Sequence, residues 1–161
     1  MKVEILRKQT KRINNFQNHF RNFENVDSVR QIFGEKTQDT LSNIEVEFTE
    51  STEYMSVDFN GRLLVNPKYL EEGSLIDIYL DVIHELVHVR QVMNGNNCNH
   101  ALPYVKRPLE IEAYKTSVKA AKALGLHDER IINYLDSDLV NEKELAELAT
   151  AIGLDYREEQ N

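Results

Sequence analysis

Two histidines that lie one helical turn apart are the residues of this chain with the clearest chemical potential. They belong to the run His84-Glu85-Leu86-Val87-His88. On a helix this spacing brings both imidazoles to adjacent turns of one face, from which two nitrogens can bind one Zn²⁺ ion. Glu85 then lies one step around the helix, where its carboxylate can take a proton from a water beside the metal. The run therefore predicts a metal centre with an adjacent base.

The helix that must position these side chains is predicted over residues 74–93. Ser74 suits the N-cap, and an Asn-Gly pair follows residue 93. Most of the circumference is apolar, which is typical of a buried helix, whereas Asp77, Asp81 and the motif share about a quarter of it. Charged groups on a buried helix need partners or a metal ion. We therefore favour a metal site over the alternative of a solvent-exposed polar stripe.

A catalytic zinc site needs a third protein ligand, and the chain offers several. Glu110 and Glu112 begin a second predicted helix over residues 108–125, and their separation of two positions points them in nearly opposite directions. Glu110 shares a face with the apolar positions, and the small Ala113 one turn later would let two helices approach closely. We therefore expect Glu110 to be the third ligand. The alternatives are Glu112, His100 and, more weakly, Cys98.

The segments before these helices predict a helix and a small sheet. Apolar residues recur near helical spacing over residues 3–33, which indicates an N-terminal helix. Residues 44–48 alternate apolar and charged side chains, as a strand with one exposed face does. Asn60-Gly61 lies between two β-rich runs and predicts a two-residue hairpin turn. We expect residues 63–65 to be the last strand of an antiparallel sheet.

The elements together predict an α+β fold, with helices before and after the sheet. Two further helices are predicted over residues 128–135 and 142–152. A chain of 161 residues has the usual size of one domain. We expect residues 1–161 to form a single domain with an N-terminal helix within residues 1–33, a sheet and metal-site core over residues 44–125, and C-terminal helices within residues 127–154.

Composition limits the classes of partner and compartment. The net charge of −8 disfavours nucleic-acid binding, which needs an excess of Lys and Arg. No apolar run approaches the ~20 residues that span a membrane, and the basic N-terminus lacks the apolar stretch of a signal peptide. Cys98 is the single cysteine, which excludes an internal disulfide and is typical of a reducing compartment. We therefore expect a cytoplasmic protein that binds neither nucleic acid nor membranes.

The HExxH run over residues 84–88 and the Glu-Ile-Glu-Ala run over residues 110–113 resemble the gluzincin branch of the zincin metallopeptidases. More narrowly, the chain is similar to the small cytoplasmic zincin-like proteins of bacteria and their phages. The Arg-Pro pair at residues 107–108 adds to this likeness, which covers roughly residues 62–124. The resemblance implies a zincin-like fold, in which a small antiparallel sheet packs on the metal helix.

The resemblance also implies an activity. It implies a zinc-dependent metallopeptidase that hydrolyses peptide bonds of a peptide or protein substrate, with Zn²⁺ on His84, His88 and Glu110 and with Glu85 as general base. An edge strand of the sheet would pair with the extended substrate, and residues 63–65 are our candidate for that edge. The alternative function is a zinc-containing binding or regulatory module of the same fold without peptidase activity.

Two supporting roles are less specified by the sequence. A hydrogen-bond donor usually stabilises the oxyanion of the reaction, and no spacing argument separates the candidates. They are His100, Tyr104 and Tyr114. A metal-binding histidine also needs a partner for its other ring nitrogen. For His88, we expect Asp81 to supply part of this support.

Overall fold

The computed structural model describes residues 2–8, 11–97 and 99–156, and its fold is α+β, as the sequence predicts. No helix in these three segments combines the length and the apolar composition that crossing a membrane requires. The strands are β1 (Glu4–Ile5), β2 (Ile13–Asn15), β3 (Phe20–Arg21), β4 (Glu45–Phe48), β5 (Met55–Val57) and β6 (Leu63–Val65). The helices are α1 (Phe16–His19), α2 (Asp27–Phe33), α3 (Thr37–Asn43), α4 (Pro67–Glu72), α5 (Leu75–Met93), α6 (Pro108–Ala123), α7 (Asp128–Leu135) and α8 (Glu142–Ala151).

The prediction of one helix over residues 3–33 is wrong. β1 pairs with β3 and β2 joins the main sheet, and among the described residues of this segment only α1 and α2 are α-helical. The apolar spacing arises instead from Phe16, Phe20 and Phe23, whose buried rings pack with centroids 5.1, 5.8 and 6.1 Å apart. Asn22 interrupts any continuous helix, because its φ of 67° places it in the left-handed region.

The main sheet is mixed, so the prediction of an antiparallel sheet is also wrong. Its strand order is β2-β4-β6-β5, in which β4 and β6 run parallel and the other two pairs run antiparallel. The parallel pair forms because the chain leaves β4, makes β5 at the outer edge and returns through β6. β6, over residues 63–65, therefore lies inside the sheet. The edge position that we expected for these residues is occupied by β5. The strand predicted over residues 44–48 is confirmed by β4.

Asn60 and Gly61 lie in the turn between β5 and β6, but the turn has three residues rather than two. The Asp58 amide donates to the Arg62 carbonyl at 3.0 Å, and the Gly61 amide donates to the Asp58 carbonyl at 3.0 Å. Gly61 has a φ of 81°, which suits the left-handed position of a three-residue hairpin loop. The Asp58 carboxylate favours this longer loop, because it accepts hydrogen bonds from the Asn60 and Arg62 amides.

The two helices predicted around the site are present. α5 begins after Ser74, whose hydroxyl accepts a hydrogen bond from the Asp77 amide at 3.4 Å. α6 begins at Pro108, which suits a first helical turn because it lacks the amide proton that would be unpaired there. α5 packs along α6 and against α2 and β5. Each fully buried Leu or Ile of α5 contributes about 1.5–3 kcal/mol; these are Ile78, Leu80, Ile83 and Leu86.

Candidate metal centre

α5 and the first turn of α6 bring three ligand atoms together. The Nε2 atoms of His84 and His88 lie 3.2 Å apart, and each lies 3.2 Å from Oε2 of Glu110. Ligands at ~2.0–2.1 Å in a tetrahedral zinc site are separated by ~3.3 Å, so this triangle has the size of one face of such a site. The three side chains could therefore hold a metal ion, and in residues 2–8, 11–97 and 99–156 they form the one such group of His, Cys, Asp or Glu.

The electrostatics of the triangle favour a positive charge between its atoms. Burial opposes a charge on His88, but the hydrogen bond to Glu110 and the negative charge of Glu85 outweigh it and raise the pKa of His88 to about 9. Burial also opposes ionisation of Glu110, but hydrogen bonds from both histidines hold the pKa of its carboxyl well below the usual range. Burial lowers the pKa of His84. A metal cation would replace the proton on His88 and release it.

Gln91 supports His88 from behind. Its Oε1 lies 2.7 Å from Nδ1 of His88, and its Nε2 donates to the Leu109 carbonyl at 3.0 Å and to Oε1 of Glu112 at 3.1 Å. The side chain therefore bridges α5 to the start of α6. This role was not predicted from the sequence, although a polar residue three positions after His88, on the same helical face, is a signal for it.

Asp81 does not support His88, so that expectation is corrected. Its carboxylate accepts hydrogen bonds from the hydroxyls of Tyr69 and, at 2.9 Å, Tyr134. These tyrosines come from α4 and α7 and hold Asp81 away from the ring nitrogen that Gln91 occupies. Burial raises the pKa of Asp81 to about 6, although both tyrosine hydrogen bonds act in the opposite direction.

His84 is held by packing. Its Nδ1 atom is buried and has no hydrogen-bond partner within the described segments. Its ring stands edge-on to Tyr114 of α6, with ring centroids 4.4 Å apart. The contact fixes the ring between the two helices, so that Nε2 is the nitrogen directed at Glu110 and His88.

Glu85 lies beside the triangle without belonging to it. It lines a cleft of about 470 Å³, together with His84, His88 and Glu110. The side chain is buried, and burial raises its pKa to about 8. Its carboxylate therefore lies in the cleft beside the three ligand atoms, a place from which it could accept a proton from a nearby water.

Two of the alternative third ligands, Glu112 and His100, lie outside the triangle. Glu112 is exposed and pairs with Arg90, in addition to its contact with Gln91. His100 lines the cleft but is exposed and stands outside the group of three ligand atoms. Cys98 lies outside the described residues. The structure thus places Glu110 where the helical-face argument puts it, and its role as a ligand stays a prediction.

Comparisons with known proteins add nothing to this geometry. No protein-family model, no curated protein and no solved structure matches this chain.

A tyrosine of the cleft wall is paired with a second tyrosine. The hydroxyls of Tyr104 and Tyr114 lie 2.9 Å apart, and Tyr104 lines the cleft beside Glu85. Burial raises the pKa of both phenols well above the usual range, so each keeps its proton and can donate a hydrogen bond. Of the three oxyanion candidates, Tyr104 combines a place in the cleft with a partner that orients its hydroxyl; His100 lines the cleft but is exposed.

Proposed function

We propose that this protein is a zinc-dependent metallopeptidase with a zincin-like core formed by β5, α5 and α6. The observation that carries the proposal is the 3.2 Å triangle of His84, His88 and Glu110, with Glu85 beside it in an open cleft. Two imidazoles and one carboxylate are a donor set of catalytic zinc sites. A site that served structure alone would have no use for a buried base next to its ligands.

In this proposal Glu85 carries the proton transfer. Zinc, when bound, supplies Lewis acidity that polarises a carbonyl and lowers the pKa of water. Glu85 accepts a proton from the attacking water and delivers it to the nitrogen of the leaving amine. Positioned proton transfer of this kind contributes ~10²–10⁴ in rate.

The free edge of β5 is the proposed binding surface for the peptide backbone. Tyr54 and Asp58 make backbone hydrogen bonds with the β6 side of the hairpin. In an antiparallel pair such residues alternate, so the amides and carbonyls of Met55 and Val57 face away from β6. β5 is an edge strand and lines the cleft. An extended peptide can therefore add to it as a further strand, with its backbone alongside Glu85.

Tyr104 is the proposed donor to the oxyanion that forms on the cleaved carbonyl. Among the described residues, the hydrogen-bond partner of its hydroxyl is that of Tyr114, at 2.9 Å. When Tyr114 donates its proton to this pair, the proton of Tyr104 is free to point into the cleft. A donor that is already oriented stabilises developing charge without reorganisation.

The proposal is tested with a peptide library, zinc-loaded wild type, Glu85→Gln and the exposed-site control Glu35→Gln. Chelator-sensitive cleavage by wild type and by Glu35→Gln is expected, with a loss of ~10²–10⁴-fold in Glu85→Gln and no loss of zinc. Equal cleavage by Glu85→Gln would refute the assigned base. No cleavage by folded, zinc-loaded wild type would contradict the peptidase and favour the binding or regulatory module.

A further inference from the structure

A second cavity of about 240 Å³ adjoins the cleft beside the metal triangle. His84, Glu85 and Tyr104 line both spaces, so the two adjoin at the residues where chemistry is proposed. Small-molecule pockets usually exceed ~300 Å³, so this cavity suits one side chain of a larger ligand. Its place beside Glu85 assigns it to a residue next to the bond that is cleaved.

The cavity combines aromatic walls with a carboxylate. Its tyrosines are Tyr54, Tyr69, Tyr104, Tyr114 and Tyr134. Asp81 also lines it and is half-buried, and the hydroxyls of Tyr69 and Tyr134 occupy part of its hydrogen-bonding capacity. A carboxylate has about four acceptor positions, so further positions remain for a donor that enters the cavity.

Asp81 forms no ion pair with a Lys or Arg within residues 2–8, 11–97 and 99–156. No Lys or Arg lines this cavity in the part of the chain that the structure describes. Asp77 lines it too, but Arg130 binds that carboxylate at 2.6 Å. Asp136 also lines the cavity and adds a further negative charge. The lining of the cavity is therefore negative, and Asp81 is the carboxylate that contacts two of its tyrosines, Tyr69 and Tyr134.

We infer that this cavity is the specificity site for a Lys or Arg side chain of the substrate, adjacent to the cleaved bond, with Asp81 as its recognition residue. The inference rests on the proposed peptidase function. The tyrosine rings contact the aliphatic part of such a side chain and attract its cationic end. The free acceptor positions of Asp81 bind an ammonium or a guanidinium group. An acidic side chain would be repelled, and an apolar one would leave Asp81 desolvated without compensation.

The test uses peptide pairs that differ at one position, Arg against its neutral isostere citrulline, and Lys against norleucine. Zinc-loaded wild type should cleave next to Arg or Lys with kcat/KM about tenfold or more above the neutral partner, the scale expected for a hydrogen bond to a charged group. In Asp81→Asn the ratio should fall to about one, with zinc content unchanged. The exposed-site control Asp39→Asn should keep the wild-type ratio. The wild-type comparison needs no variant and so does not depend on how well Asp81→Asn folds.

A binding measurement separates this inference from the peptidase. Zinc-loaded Glu85→Gln is titrated with the same peptides by calorimetry. Cleavage by wild type with no preference for charge would overturn the specificity site while the peptidase stands. Tenfold tighter binding of the Arg peptide than of the citrulline peptide, lost on adding Asp81→Asn, supports the site even where wild type cleaves nothing. Equal binding of both peptides together with no cleavage would overturn it.

Discussion

Gln91 fixes which nitrogen of His88 faces the metal triangle. Its Nε2 lies 3.0 Å from the Leu109 carbonyl, which can only accept, so the amide nitrogen of Gln91 must point there. Its Oε1 is therefore the atom that lies 2.7 Å from Nδ1 of His88, and Nδ1 must donate. Nε2 of His88 is left to bind a metal once it has lost its own proton.

Removal of this support should weaken zinc binding. Gln91→Leu keeps approximate size but cannot accept the Nδ1 proton of His88. We expect zinc affinity to fall ~10–100-fold, the usual cost of losing such a partner. The measurement is a competition titration against a chelator, with the exposed-site variant Gln38→Leu as control. Wild-type affinity in Gln91→Leu would contradict the role of Gln91.

The two glutamates at the start of α6 should differ sharply. Glu110→Ala removes an atom of the triangle, whereas Glu112→Ala removes an exposed partner of Arg90 and Gln91. We expect the first to weaken zinc affinity by more than ~100-fold, beyond the range for an outer contact, and the second by less than ~10-fold. The same chelator competition measures both. The reverse order would show that the third ligand has been misassigned.

The helices of the site were predictable because their patterns are long. Over residues 74–93 and 108–125 the apolar positions repeat across several turns, so face, burial and the choice of Glu110 over Glu112 could be argued from the sequence. The N-terminal segment has no apolar pattern that repeats over so many helical turns. Phe16, Phe20 and Phe23 have helical spacing, but no single helix carries them. Their rings meet because the one-turn helix α1 is followed by Asn22, whose backbone has a left-handed conformation.

Other features depend on tertiary pairing that local patterns do not encode. The parallel pairing of β4 with β6 and the edge position of β5 follow from how the chain returns to the sheet, so residues 63–65 were wrongly expected at the edge. α3 and α4 are short and were not predicted. The partners of Asp81 come from two other helices, α4 and α7, so its environment could not be read from α5 alone.

Tyr104→Phe tests the oxyanion donor. The variant keeps the ring and loses the hydroxyl that pairs with Tyr114. We expect kcat/KM for peptide cleavage to fall ~10²–10³-fold, as for the loss of one oxyanion donor, with zinc affinity unchanged. Tyr156 does not line the cleft, so Tyr156→Phe serves as the control for loss of a tyrosine hydroxyl. A fall of less than threefold in Tyr104→Phe would exclude this role.

Asp81 should make stability depend on pH. Burial raises its folded pKa to about 6 from an unfolded value of 3.8, so between these two values the native state holds more protons than the unfolded state. The contribution of Asp81 to the free energy of unfolding is therefore most favourable below pH 4 and falls as pH rises to about 6. A pKa difference of about two corresponds to about 3 kcal/mol.

The measurement is chemical unfolding of wild type and Asp81→Asn between pH 4 and 7. Both proteins share every other titrating group, so their difference isolates Asp81. We expect wild type to lose ~2–3 kcal/mol relative to Asp81→Asn as pH rises across this range. A constant difference, or one that changes with the opposite sign, would contradict the raised pKa of Asp81 in the folded protein.

The metal itself is the most direct test. Elemental analysis of protein purified without added metal, and again after zinc loading and dialysis, measures bound ions per chain. We predict about one zinc ion per wild-type chain and none in the His84→Ala/His88→Ala double variant, because the triangle of His84, His88 and Glu110 matches one face of a tetrahedral zinc site. Stoichiometric zinc in the double variant, or no zinc in the loaded wild type, would contradict the account.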